Sequence, residues 1–410
     1  MKTTIERLGH QGDAIAAGPI FVTGALPGEE VEGDVVGDRM IAPKIITPSA
    51  DRVKPPCSHA KSCGGCSLQH ASDAFVEDWK QGVVDTALIA QGVEAKAACI
   101  KTSPPRSRRR ASLSGKRTKK GAIVGFHGRA SGTVIEVPNC TLLHPDLMDI
   151  IPVLQEMTVL GASRKGEASF TIAQTLNGVD VLVRDVKPAD TPLRMELAQL
   201  AGKAGLSRLT WEDELIAGRA PAYQMFGKAS VAPPPGAFLQ ATREGEQALL
   251  APVLDALDGA KKVVDLFAGS GTFSLPAAET AEVHAVESEG NMLSALDTGW
   301  RQAKGLKRVT TETRDLFRRP LMPDEFKFVD AVIIDPPRAG AEAQIKELAK
   351  SDVPVIAMVS CNPVTFARDA RLLVGAGYSL GSITVVDQFR WSPHVELVAS
   401  FTKPRPKRAA

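Results

Sequence analysis

The stretch Val263-Val264-Asp265-Leu266-Phe267-Ala268-Gly269-Ser270-Gly271-Thr272-Phe273 runs from a short apolar strand through a glycine turn into a helix-forming segment. Glycine lets backbone come close to a ligand, and the amides that open a helix favour anionic or polar groups. Glu287 ends the next apolar run, sixteen residues after Gly271, where a carboxylate can accept both ribose hydroxyls. The turn lacks the third glycine of a dinucleotide fingerprint and the Lys-Ser/Thr pair of a triphosphate loop, so it suits neither ligand. Further out, Glu282-Val283-His284-Ala285-Val286, Ala331-Val332-Ile333-Ile334-Asp335 and Pro354-Val355-Ile356-Ala357-Met358-Val359 are each short and apolar, with helix-sized segments between them. Such spacing predicts an α/β unit from about 231 to 410, built on a mostly parallel sheet covered on both faces.

Two of these strands end in chemistry. Asp335-Pro336-Pro337-Arg338 closes one with two residues that cannot donate a backbone hydrogen bond, which forces an exposed turn and offers Asp335 to the crevice at the sheet edge. Ser360-Cys361-Asn362-Pro363 closes the next, so the Cys361 thiol is expected at the same edge and reads as a nucleophile; otherwise it would serve as a small buried hydrophobe. Glu396 interrupts an apolar strand in Trp391-Ser392-Pro393-His394-Val395-Glu396-Leu397 and is the candidate base. Gln240, in Phe238-Leu239-Gln240 just before the sheet unit, offers an amide to a ligand.

The N-terminal part reads differently. Short β-like runs up to about residue 50 are punctuated by glycines and predict a small β-barrel, and a proline-rich connector follows it. Cys57, Cys63 and Cys66 are then spaced by five and two residues, with Cys140 far downstream. Residues 72 to 91 carry apolar positions at threes and fours and predict a helix. Between about 140 and 230, strand-like and helical stretches alternate, so 51–230 is expected to be a mixed α+β unit. Eight cations, Arg106, Arg108, Arg109, Arg110, Lys116, Arg117, Lys119 and Lys120, occur between 106 and 120 without one acid, on the first strand of an expected hairpin. The basic segment Lys403-Pro404-Arg405-Pro406-Lys407-Arg408 reads as a solvated tail.

Composition limits the classes. With 44% hydrophobic and 23% charged residues in a chain of 410, a globular protein of two or three domains is expected. No segment approaches the ~20 apolar residues of a membrane span. The acidic start has no signal-like stretch, and six cysteines are too sparse for a disulfide framework, so a cytoplasmic address is expected. A net charge of +2 says little alone.

Asp265-x-Phe267-x-Gly269-x-Gly271 resembles the first motif of class I (Rossmann-like) S-adenosylmethionine-dependent methyltransferases. Taken with Asp335-Pro-Pro-Arg338, Ser360-Cys361-Asn362-Pro363, Gly24-Ala25-Leu26-Pro27-Gly28-Glu29 and Cys63-Gly64-Gly65-Cys66-Ser67-Leu68-Gln69-His70, the chain resembles the RNA uracil-5-methyltransferase family over nearly its whole length. The branch it is most similar to comprises bacterial 23S ribosomal RNA enzymes with an N-terminal TRAM domain, an OB-like β-barrel, and an iron–sulfur cluster. The resemblance implies a TRAM barrel at 1–50, a cluster-bearing central domain at 51–230 and a methyltransferase domain at 231–410. It implies that Gln240, Phe267, Thr272, Glu287, Asp315 and Asp335 hold S-adenosyl-L-methionine, that Cys361 attacks, and that Glu396 takes a proton. Thr272 stands where many relatives carry Asn. Cys57, Cys63, Cys66 and Cys140 would ligate a [4Fe–4S] cluster; on spacing alone four thiolates could equally hold Zn²⁺, and the resemblance points to iron.

The implied chemistry explains why a thiol is needed. Carbon 5 of uracil is a poor nucleophile until a thiolate adds to carbon 6 and pushes electrons into the ring; a base must later remove the surplus hydrogen. A stacked base cannot reach a protein thiol, so the partner is expected to be RNA in a loop or with a flipped base, bound by the basic hairpin. No membrane partner is expected, and the protein should act as a monomer. Two other readings stand beside ribosomal RNA methylation: a transfer-RNA uracil-5-methyltransferase, and a catalytically silent iron–sulfur protein that binds RNA.

Overall fold

A computed structural model describes residues 1–129 and 131–404; the last basic residues of the expected tail, from 405 on, lie outside the described residues. Among the described residues, three large sheets organise the chain, beside a two-stranded ribbon of 224–226 and 229–231. The first has six short strands in the order 39–40, 20–22, 14–16, 2–8, 30–32, 44–47. Its long strand Lys2–Leu8 serves both halves and carries a bulge between Ile5 and Arg7, which bends a strand and raises its twist. The sheet therefore curls, barrel-like, around Ile5, Val22, Leu26, Val31 and Met40. Leu68, Ala71 and Val76, which follow the cysteine loop, complete that core. Glu29 is fully buried and takes Leu26 N at 2.8 Å, Ser49 N at 3.1 Å and the Arg52 guanidinium. Burial pushes its carboxyl up, but the Arg52 and amide hydrogen bonds outweigh that and hold it below the usual range. This pair pins the proline-rich connector to the curled sheet.

The second sheet has seven strands, 134–136, 122–127, 110–117, 167–175, 178–184, 208–211 and 214–218. Arg110–Arg117 and Ala122–His127 form the expected antiparallel hairpin, and one pair, 178–184 with 208–211, is parallel. The helices Ile151–Gly161 and Thr191–Lys203 cover it, burying Leu154, Met157 and Leu197 against Phe170, Val181 and Trp211.

The third sheet runs 309–313, 282–287, 262–266, 331–334, 355–360, 396–402, 379–387, 97–102. The first five strands are parallel, Glu396–Thr402 alone is antiparallel to its neighbours, and Ser379–Asp387 regains the common direction. Strand order reverses between 262–266 and 331–334, so loops leaving these two strands diverge and open a crevice. The eighth strand, Ala97–Thr102, comes from the middle of the chain and pairs in parallel with Ser379–Asp387. Its preceding helix, Asp73–Ala90, is capped by Ser72 Oγ on Phe75 N at 3.2 Å and buries Val84 and Leu88 in the core beside Phe366 and Leu373. Segment 73–102 therefore packs as part of the third layer, because its apolar face finds its partner on the helix Pro363–Gly375.

Candidate active site

The strands 262–266 and 331–334 end at the switch point, and a cavity of about 710 Å³ opens there. Its walls bring together Gln240, Phe267, Thr272, Glu287, Asp315 and Asp335, and also Cys361 and Glu396. The turn after 262–266 bends through three left-handed residues, Phe267 (φ 63°), Gly269 (φ 55°) and Gly271 (φ 98°). A Cβ on Gly271 would lie 2.9 Å from Leu275 and Leu296, so a side chain there would force the turn off the underlying helices. At Gly269 nothing lies within 4 Å of that position, so its bare backbone faces open space. Glu287 fastens the turn: its Oε2 accepts Gly269 N at 3.0 Å, and its Oε1 accepts Ser288 N at 2.6 Å and Glu289 N at 3.1 Å. Phe267 packs on Phe317 with ring centres 5.5 Å apart, making an aromatic wall, and Asp315 holds that wall by accepting Phe317 N at 3.0 Å.

The cavity is rich in acids. Asp265 lies fully buried beneath the turn, bonded to Ser274 Oγ at 2.5 Å, and is pushed up to about 7 by burial and then by Asp335 and Glu287. Enclosure of its carboxyl pushes Asp335 up to about 7 as well. Glu396, 3% exposed, is raised to about 8 by burial and then by Asp335, with Gln388 and Arg108 opposing. The Cys361 thiol rises to about 11, chiefly by burial and then by Glu396 and Asp335, while Arg338 pulls it down. Carboxyls that repel one another in a closed space favour a cationic occupant, whose charge would draw all these groups back toward ionisation.

Cys361 and Arg338 also line a second, wider cleft of about 1250 Å³, which runs out between the curled sheet, at Arg7 and His10, and the helix Asp73–Ala90, at Trp79 and Val83. The thiol therefore stands at the junction of an inner cavity and an outer cleft. Its loop is set by Asn362, whose side chain caps the following helix at Val364 N (3.1 Å) and donates to the Arg338 carbonyl (2.9 Å).

Gln388 is the residue that sequence reasoning missed. It accepts Ala241 N at 2.6 Å, donates to Gln240 Oε1 at 2.5 Å and bonds Glu396; Gln240 in turn faces Asp335 at 3.4 Å. The available signal was its place at the end of the apolar strand 379–387, at the same sheet edge as the other site residues.

Cys57, Cys63, Cys66 and Cys140 gather in a second place. Cys66 packs with Leu142, Trp391 and Cys140, and its thiol is pushed up to about 12 by burial and then by the charges of Cys140, Cys63 and Cys57. Burial likewise raises Cys63 and Cys140. Gly64 is required here, since a Cβ would lie 2.7 Å from the His127 carbonyl. As the side chains stand, no group of three or more His, Cys, Asp or Glu among the described residues is spaced to hold a metal ion. The sixth cysteine, Cys99, sits on strand 97–102 with its sulfur 3.7 Å from Thr384 Oγ1. The cysteine loop reaches the first site through backbone: Ser67 N and Leu68 N both donate to the Trp391 carbonyl, at 2.8 and 2.9 Å, five residues before Glu396.

A glycine turn, a carboxylate closing the next strand and a cavity at the switch point are the parts of a doubly wound nucleotide-binding fold, and its likeness to known proteins makes it the methyltransferase form. The model of the tRNA (Uracil-5-)-methyltransferase family matches residues 231–403. An uncharacterized RNA methyltransferase of Rhizobium meliloti is 41% identical, the alignment covering 98% of this chain and 99% of that protein. The 23S rRNA (uracil(1939)-C(5))-methyltransferase RlmD of Halomonas elongata is 31% identical, over 98% of this chain and 89% of that protein. Among solved structures, the Pyrococcus abyssi tRNA (uracil-54, C5)-methyltransferase in complex with S-adenosyl-L-homocysteine shares the fold, with a TM-score of 0.77 at 22% identity over 98% of this chain and 99% of that one. The chain belongs to the RNA uracil-5-methyltransferase family, and the enzyme is an RNA methyltransferase of the uracil-5 type.

Proposed function

We propose that this enzyme methylates carbon 5 of a uridine in ribosomal RNA through a covalent bond between Cys361 and carbon 6. The observation that carries the reading is the position of Cys361 in the wall common to the inner cavity and the outer cleft. A base entering from the cleft would meet the thiol while its ring edge faces the cofactor cavity. The Cys361 thiol first gives its proton to solvent in the cleft; the thiolate Sγ then bonds carbon 6, and the ring's electron pair shifts to carbon 5 and the carbonyl at carbon 4. S-adenosylmethionine, when bound, supplies the methyl group that carbon 5 takes. Gln240, Phe267, Thr272, Glu287, Asp315 and Asp335 would hold it; the open backbone at Gly269 and the surplus of acids suit a nucleoside that also carries positive charge. Glu396 then takes the proton from carbon 5, the C5–C6 double bond re-forms, and the sulfur leaves as thiolate. Burial and Asp335 raise the Glu396 carboxyl to about 8, which makes it a stronger base than an ordinary carboxylate once Arg108 and the cofactor's positive charge have ionised it.

Ribosomal RNA is favoured by the 31% identical relative whose name specifies 23S rRNA; the transfer-RNA enzyme at 22% identity speaks to fold alone. We assign 1–50 as a TRAM-like RNA-binding barrel, 51–230 as the stretch bearing the cysteines and basic hairpin, and 231–410 as the catalytic unit, whose sheet and core are completed by segment 73–102 from the central stretch. Cys57, Cys63, Cys66 and Cys140 would hold a [4Fe–4S] cluster acting as a scaffold; their shared, water-poor neighbourhood supports this, and binding would have to displace their thiol protons. A cytoplasmic, monomeric enzyme accords with the reading.

The test is methyl transfer to ribosomal and to transfer RNA from cells lacking the protein. Label should enter 5-methyluridine of the ribosomal fraction; entry into transfer RNA alone would move the assignment, and entry into neither would favour the silent binder. With Glu396→Gln the RNA should stay on the protein as a gel-stable adduct.

A further inference from the structure

The eight cations between Arg106 and Lys120 do not present one face. Arg109 turns inward, 2.6 Å from Glu246 and 3.1 Å from the Gln240 carbonyl, where it fastens the cofactor segment. Lys116 pairs with Glu167 at 3.1 Å. Arg108 and Arg110 are different: among the described residues neither has an ion-pair partner, although both side chains are largely enclosed. Arg108 lays its guanidinium over Phe389, 4.8 Å from the ring centre, and spends its Nε on the Arg110 carbonyl at 3.0 Å. Arg110 lies over Phe238 at 5.5 Å, and its Nε is buried without a hydrogen-bond partner.

Two enclosed cations side by side, with no carboxylate at ion-pair distance and with Glu396, the acid that Arg108 feels, raised by its own burial, are costly unless an anion completes them. Burial draws Arg108 down to about 10, its neighbour Arg110 adds to that, and Arg110 is itself lowered by burial. The place of Arg108 says which anion, and Arg110 sits beside it over Phe238, whose ring is part of the cofactor cavity's wall. Arg108 lines a hollow of about 340 Å³ together with Phe389 and His394, and His394 also lines the outer cleft with Cys361. Arg108 is near enough to Glu396 to favour its ionised form. An oxyanion there could come from a nucleotide backbone or from the cofactor's carboxylate. Neither arginine lines the cofactor cavity, which has Arg314 and Arg338 in its own wall. The backbone phosphate is the better match, since a flipped uridine in contact with Cys361 leaves its sugar and phosphate on the cleft side.

We infer that Arg108 and Arg110 together clamp the backbone phosphate adjoining the target uridine and so register its base against Cys361. The inference rests on the uridine-methylating reading above. It explains why two phenylalanines, Phe238 and Phe389, back the pair: the aromatic faces hold both guanidiniums flat before RNA arrives.

The experiment uses the full-length protein with ribosomal RNA from cells lacking it. Filter binding and methyl-transfer kinetics are run across a potassium chloride series for Arg108→Gln, Arg110→Gln and the two lysine replacements. Each glutamine variant should weaken RNA binding and raise KM roughly ten- to a hundredfold. It should also flatten the slope of log affinity against log salt by about 0.7 to 0.9. S-adenosylmethionine binding, measured by dialysis, should stay at the wild-type value, which also certifies folding. The lysine variants should keep the salt slope and recover part of the affinity. Wild-type slope and KM in the glutamine variants would overturn the clamp, and so would weakened cofactor binding in a glutamine variant that lysine restores, which would assign the arginines to the cofactor carboxylate. A wild-type protein that binds RNA without methylating it would sink the parent reading instead, and the clamp would then stand or fall on the binding slopes.

Discussion

The switch-point cavity and the cysteine pocket both withdraw ionisable groups from water, yet they are built by opposite means. At the cavity, Phe267, Glu287, Asp335, Cys361 and Glu396 lie at strand ends or in the turns that leave them, held by ladder hydrogen bonds and by the Glu287 and Gln388 networks. In the pocket, Cys57, Cys63, Cys66 and Cys140 all sit on irregular chain, and what fixes the loop is backbone bonds to His127, Trp391 and its own turns, with Arg129 donating to the Cys66 carbonyl at 2.7 Å and Gln69 accepting Cys57 N at 3.1 Å. Regular structure can hold mutually repelling carboxyls ready for a ligand. Irregular chain that carries four thiols needs a bound group, or the neighbouring layer, to stay in place. The lesson concerns dependence: the cavity is framed by strand ends, whereas the pocket leans on the loop that leads to Glu396.

That contrast can be broken at either end. The largest effect is expected from Cys361→Ala, which should abolish methyl transfer while RNA affinity, iron content and thermal stability stay near wild type. Ordinary turnover by this variant would end the covalent proposal, and loss of iron would show that the two regions are not separable.

Cys66→Ser should act from the other side. After anaerobic reconstitution it should carry little iron and melt lower, by about 2–4 °C for each kcal/mol lost. Transfer should decline through the Trp391 contact, yet remain measurable at low temperature. Full iron loading of that variant would remove Cys66 from the ligand set.

The smallest effect concerns protons. Glu396, Asp265 and Asp335 have folded-state values raised to about 8, 7 and 7. The folded chain therefore holds more protons than the unfolded one above the ordinary carboxyl range, and the associated stability is lost as pH rises through these raised values. The ligand-free protein should melt a few degrees lower at about pH 8.5 than at about pH 6, and Glu396→Gln should flatten that fall. A melting curve indifferent to pH in this window would mean the carboxyls are less enclosed than their geometry implies.

How much of this was legible beforehand follows from how far apart the interacting residues lie. The glycine turn, Asp335-Pro-Pro-Arg338 and Ser360-Cys361-Asn362-Pro363 are local words, because each is a strand end whose turn chemistry is written in adjacent residues. The helix 73–90 announced itself by its apolar spacing. Gln388 did not, since its meaning comes from Gln240 and Ala241, nearly 150 residues away. Nor could a run of like charge reveal that Arg109 faces inward to Glu246 while Arg108 and Arg110 lie over aromatic rings. The buried Lys80–Asp387 pair at 2.6 Å, which ties the helix 73–90 to the strand before Gln388, was equally silent.

Strand Ala97–Thr102 has one further implication. It is an edge strand whose partner, Ser379–Asp387, is made some 280 residues later, so during synthesis it must wait, unpaired, for most of the chain to emerge. An idle strand edge invites pairing with a stranger, and Lys96 and Lys101 in and beside it supply the charge that discourages such company. The catalytic layer is thus knotted shut by an early piece of chain, and severing the polypeptide near residue 231 would leave two unfinished halves in place of two working modules.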